Sequence, residues 1–161
     1  MAILTKLKET LDQAKLPYEI YNHPLAYTAQ EIAARQHVSG KEIAKVVILD
    51  AGGRLVMAVI AGSDKISPDI AREGLGVKKV RLASEDEFIS RFPGCEIGAM
   101  PPFGNFFNMT VFVDPALAKD KYIYFNAGNH AQTVRLAYKD FVALVKPRIA
   151  HLVEGRTKKA A

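Results

Sequence analysis

The chain of 161 residues has one cysteine and no tryptophan. A lone Cys95 cannot form an intramolecular disulfide, and it excludes thiolate metal clusters. A reduced, cytoplasmic setting is therefore expected. No apolar run approaches the roughly 20 residues of a membrane span. The N-terminus lacks a basic region followed by an apolar stretch and a cleavage site, so no signal peptide is expected. The phosphate-binding patterns GxxxxGK[ST] and GxGxxG are missing, as are HExxH and the GxSxG elbow. Nucleotide, zinc-protease and α/β-hydrolase chemistry thus have no anchor. The four histidines (His23, His37, His130 and His151) form no i, i+4 pair, so no metal and no cofactor is expected.

What remains is an ordinary globular composition. Apolar residues make up 49% and charged residues 24%, enough to build one core, and the length suits a single domain over 1–161. The net charge is +5, but it is unevenly spread. Residues 146–161 carry Lys146, Arg148, Arg156, Lys158 and Lys159 against Glu154, a balance of +4, which leaves +1 for the rest. The tail is either a solvated end or a basic arm that steers a polyanion.

Hydrophobic spacing predicts a helix over 3–16, closed by Pro17, and a short strand over 18–21. Thr28 and Glu31 form a capping box for a helix reaching about His37. Lys45 opens the buried strand Val46-Val47-Ile48-Leu49, and Leu55 to Ala61 returns as its hairpin partner. Ser67-Pro68 starts a helix, Val77–Leu82 reads as a strand, and Ser84 to Glu87 caps another helix. Pro93 to Asn108 reads as a long loop of the kind that carries function. Strands over 109–113, 121–126 and 132–136 and a helix over 138–145 follow, with a docked or frayed tail after Pro147. Helices and strands mix without strict βαβ alternation. The expected class is α+β, with a mixed, mostly antiparallel curved sheet surrounded by helices.

Three places offer chemistry. Lys45 sits at the mouth of an apolar strand. It is either an edge lysine reaching water or a cation held at a pocket rim. In Gly98-Ala99-Met100-Pro101-Pro102-Phe103-Gly104, glycine admits a ligand to the backbone N–H and the prolines stiffen the loop. The same residues would also suit a rigid surface turn. In Ala127-Gly128-Asn129-His130, the histidine is either structural or orients a substrate or water.

Taken in order, Lys45 with its Val-Val-Ile-Leu strand, Gly98-x-x-Pro101-Pro102-Phe103-Gly104 and Ala127-Gly128-Asn129-His130 resemble the YbaK/prolyl-tRNA-synthetase-associated domain family. The likeness spans about residues 20–145. It includes Tyr27-Thr28-Ala29-Gln30-Glu31-Ile32-Ala33, and it leaves 147–161 as a tail. The resemblance implies a free-standing aminoacyl-tRNA deacylase that clears a small amino acid from mischarged tRNA, with a tRNA synthetase as a further partner. It implies that Lys45 holds the terminal adenosine or its phosphate. The Gly98 N–H would polarise the ester carbonyl, and His130 would shape the amino-acid pocket. Tyr27, Thr28, Ile32, Val46, Pro101, Pro102, Phe103, Gly104, Gly128 and Asn129 are the expected substrate-binding residues; Ile48 is a further candidate for the pocket wall. A water would attack, helped by a ribose hydroxyl. Two alternatives stay open: a module that binds aminoacyl or adenosine groups without turnover, and a hydrolase of another activated aminoacyl ester or thioester.

Overall fold

The computed structural model describes residues 2–22 and 42–154. Helix α1 (Ala2–Gln13) turns Leu7 and Leu11 into the core, both fully buried. Each contributes roughly 1.5–3 kcal/mol of burial. Lys15 adopts a left-handed φ of 57°, and the Leu16 N–H closes back on the Leu11 carbonyl at 3.1 Å. This C-terminal closure, followed by Pro17, ends the helix.

Two sheets form the body. Strands β1 (Tyr18–Asn22), β6 (Tyr122–Asn126) and β7 (Gln132–Ala137) make an antiparallel sheet with β7 in the middle. The other sheet has the order β4-β2-β3-β5-β8. Its centre is the antiparallel hairpin of β2 (Ala44–Ala51) and β3 (Arg54–Ala61), with β4 (Val80–Leu82) antiparallel to β2. Strands β5 (Val111–Val113) and β8 (Arg148–Ile149) extend the other edge in parallel. The expected α+β class holds, with the strands divided between two sheets. A parallel bridge between Ile43 and Tyr124 joins them.

Alternation along β2 divides the core. Ala44, Val46 and Ile48 face a large cluster with Phe103, Phe125 and Phe141. Val47, Leu49 and Ala51 face a smaller one with Ala71, Leu152 and Val153. Helix α2 (Pro68–Leu75) covers the second face. Its Ser67 cap accepts the Ile70 N–H at 3.3 Å, and Gly76 ends it at a φ of 70°. That closure takes the Val77 N–H to the Arg72 carbonyl, so the strand expected from Val77 begins only at Val80. Helix α3 (Glu85–Phe88) has the expected capping box, with the Ser84 N–H donating to Glu87 Oε1 at 2.8 Å. Helix α4 (Tyr138–Val145) matches its sequence pattern.

Two further segments differ from expectation. Gly104–Phe107 is a 3-10 helix within the stretch read as loop, because Phe103, Phe106 and Phe107 need a core to enter. Pro115–Lys119 is likewise a 3-10 helix, capped by Asp114.

Asp114 is fully buried. Its carboxylate accepts the Ala116 N–H and the Leu152 N–H, each at 3.0 Å, and so docks the segment after Pro147 onto the domain. Asp114→Asn turns an amide donor toward one of these N–H groups. It should cost about 1–3 kcal/mol, measured by urea denaturation, because a buried donor loses its acceptor.

Candidate active site

Two loops build the floor of the site. Glu96 N–H donates to the Gly128 carbonyl at 2.8 Å, and Gly128 N–H returns to the Ala99 carbonyl at 2.9 Å. The segment before the proline pair is thereby tied to the loop between β6 and β7. Gly98 lies at the exposed crest of this tie with a φ of 84°. Only glycine adopts that conformation without strain. Among the described residues no hydrogen bond engages the Gly98 N–H. A Cβ placed on Gly98 would stand 3.5 Å from His130 Cε1.

His130 is buried and held at two points. Its main-chain N–H donates to Glu96 Oε1 at 2.7 Å, and its ring Nε2 lies 2.8 Å from the Ile97 carbonyl. A carbonyl only accepts, so Nε2 carries the proton. The ring edge therefore forms a fixed wall behind Gly98.

Lys45 stands on the other sheet, half-buried at the start of β2. Its ammonium donates to the Asp64 carbonyl at 2.9 Å. Burial pushes its pKa below the ordinary lysine value; nearby Asp64 works against that shift and Lys65 adds to it. No printed contact joins Lys45 to Gly98 or His130. The parallel bridge at Ile43 and Tyr124 nevertheless sets the start of β2 beside the middle of β6. Two residues further along each strand stand Lys45 and Asn126, and the His130 loop follows Asn126.

The other expected site residues divide. Gly128 is part of the floor through both of its backbone groups. Asn129 is used locally: its Oδ1 accepts the Ala131 N–H and its Nδ2 donates to Gln132 Oε1. Pro101 and Pro102 are buried behind the loop. Phe103 has no exposed surface and packs on Phe106, Phe125 and Phe141. A Cβ on Gly104 would meet the Met109 carbonyl and Val111 Cγ2 at 2.5 Å, so this glycine serves close packing. Val46 points to the large core cluster, packed against it beside the buried Ile48. Tyr27, Thr28 and Ile32 lie outside the described residues. Glu96 was not foreseen, since nothing in its spacing marks it; the Ile97 and Asp64 carbonyls leave no trace in residue identity at all.

Cys95 is half-buried, and burial pushes its thiol up to about 11. A nucleophilic cysteine needs the opposite shift. Iodoacetamide should label it slowly at neutral pH, and Cys95→Ala should keep full hydrolytic activity. Among the described residues no three His, Cys, Asp or Glu side chains converge as a metal site, and no helix is long and apolar enough to cross a membrane.

Comparison with known proteins adds three structures. One crystal structure, described only as a hypothetical protein, has a TM-score of 0.82 at 26% identity, covering 92% of this chain and 99% of its own. A proposed trans-editing enzyme for prolyl tRNA synthetase has a TM-score of 0.81 at 20% identity, covering 96% and 99%. A protein from Marinobacter aquaeolei, described as acting in signal transduction, has a TM-score of 0.71 at 12% identity. It shares only 30% of its own length, against 91% of this chain. The last two likenesses concern the fold. No curated protein sequence matches. The family model of the aminoacyl-tRNA editing domain matches residues 23–144. The chain belongs to the aminoacyl-tRNA editing domain family.

Proposed function

We propose that the protein is a trans-acting aminoacyl-tRNA deacylase that hydrolyses the ester of a tRNA mischarged with a small amino acid. The observation that carries this reading is the exposed Gly98, held at a positive φ against the fixed His130 ring, with an N–H that takes no hydrogen bond among the described residues. Such a donor suits the oxyanion that develops when water adds to an ester carbonyl, and it needs no reorganisation at that moment. Lys45 supplies the cation for the 3′-terminal phosphate or adenosine. Water adds to the carbonyl carbon, the bond to the ribose oxygen breaks, and that oxygen takes a proton. The products are a free amino acid and uncharged tRNA. An aminoacyl ester is already activated, so orientation and carbonyl polarisation suffice without an enzyme nucleophile. The His130 wall behind Gly98 limits the side chain that fits, which favours small amino acids by exclusion. In this scheme a synthetase delivers the mischarged tRNA.

The test is a panel of tRNAs charged with alanine, serine, cysteine, proline and larger amino acids. Hydrolysis of a small-residue ester well above the spontaneous rate is expected. No acceleration on any member would overturn the reading.

A further inference from the structure

A broad, open groove lies away from Gly98 and His130. It encloses about 690 Å³ at the far end of the β2–β3 hairpin, between the Gly52-Gly53 turn, Arg72 of α2 and the stretch from Lys78 to Arg81. Its charges are unequal in their freedom. Arg81 is clamped by Asp50 at 2.8 Å and by both Glu87 oxygens at 2.6 and 2.7 Å. Its charge is therefore largely spent inside the protein. Among the described residues Arg72 pairs only with the loose Asp69 carboxylate at 3.6 Å. Lys78 and Lys79 are exposed and form no ion pair among the described residues. Beside these cations runs bare backbone, the Gly52 N–H donating to the Lys79 carbonyl at 3.0 Å. Gly52 and Gly53 take φ values of 66° and 94°, and a Cβ on either would meet nothing within 4 Å. A bulky polymer backbone can therefore approach closely.

The position of the groove relative to Lys45 narrows the ligand. Lys45 leaves β2 on the face shared by Val47 and Leu49, the face that α2 covers. Arg72 on α2 thus lies on the same side of the sheet. From Lys45 to Ala51 the strand advances six residues, about 20 Å at 3.3 Å each. Six stacked nucleotides at 3.4 Å span about the same distance. That exceeds the four unpaired nucleotides at a tRNA 3′ end and reaches the first base pairs of the acceptor stem.

We propose that this groove, through Lys78, Lys79 and Arg72, docks the phosphate backbone of the tRNA acceptor stem while the 3′ end lies at Lys45 and Gly98, a placement that rests on the deacylase reading above. The contact is to phosphates, so it supplies affinity and register without selecting a base sequence.

The experiment compares wild type with Lys78→Glu/Lys79→Glu. A second double variant, Lys8→Glu/Lys119→Glu, removes the same charge from exposed positions elsewhere. Binding of uncharged tRNA is measured across a salt series, and hydrolysis is measured on mischarged tRNA and on a short 3′-aminoacylated CCA trinucleotide. The groove variant should bind tRNA about tenfold or more weakly at low salt. Its log–log salt slope should be shallower by about 1.8, the value for two lost duplex phosphate contacts. The activity defect should be confined to the substrate with an acceptor stem and appear in KM. The control pair should change the slope far less. An unchanged slope in the groove variant, or an equal change in both variants, would overturn the proposal. If wild type hydrolyses neither ester while the groove variant alone loses tRNA affinity, the docking surface stands and the deacylase reading falls.

Discussion

Replacing Lys45 with alanine should lower kcat/KM on mischarged tRNA by about 10–10²-fold, the equivalent of about 1.5–3 kcal/mol for one lost hydrogen bond to a charged group. Among the described residues the ammonium makes one hydrogen bond, to the Asp64 carbonyl, and the half-buried side chain belongs to neither apolar core cluster. Thermal stability should therefore change little, which separates a site effect from unfolding. Lys45→Arg keeps the charge but changes its shape, and should recover part of the activity. The pH profile gives a second readout. Burial lowers the Lys45 pKa, so the ammonium is lost at a lower pH than for an ordinary lysine. After subtraction of spontaneous ester hydrolysis, wild-type activity should fall on an alkaline limb that begins below the normal lysine range. In Lys45→Arg that limb should move to higher pH. A loss of less than fivefold in Lys45→Ala would remove Lys45 from the site.

Phe103→Ala should act on the fold. The ring has no exposed surface and touches three other aromatic rings at centroid distances of 5.2 to 6.2 Å. Removing such a ring costs about 3–5 kcal/mol through lost burial and the cavity left behind. That is a large share of the 5–15 kcal/mol that holds a typical domain together, and it should lower Tm by about 10 °C. Scanning calorimetry and urea titration would read it. At a temperature where the variant remains folded, its KM should match wild type. A raised KM with unchanged Tm would return Phe103 to substrate binding.

Those two residues show how the sequence could and could not be read. Lys45 was visible because a charge at the head of Val-Val-Ile-Leu breaks the local pattern. Phe103 stands in the Gly98 to Gly104 run, but its packing on Phe125 and Phe141 far along the chain leaves no local signal. Local capping signals read well: Ser67, Ser84 and the Gly52-Gly53 turn all act where their side chains or conformations predict. Division of the strands into two sheets did not read, since pairing of β1 with β7 depends on contacts more than a hundred residues apart. The grip on His130 was equally hidden, because the Ile97 carbonyl that holds the ring belongs to any residue type.

The bridge between Ile43 and Tyr124 gives the site a mechanical vulnerability. Lys45 rides on one sheet and the Gly98 and His130 loops are fastened to the other, so in the proposed mechanism the gap between the Lys45 cation and the Gly98 N–H is set where the sheets meet. That joint works as a vernier. A slip of 1 Å there would cost about 10²-fold in rate while every reacting group kept its own hydrogen bonds. Distance from the chemistry is thus a poor guide to harm in this molecule: a repacked residue at the joint can silence the site as thoroughly as the loss of the lysine.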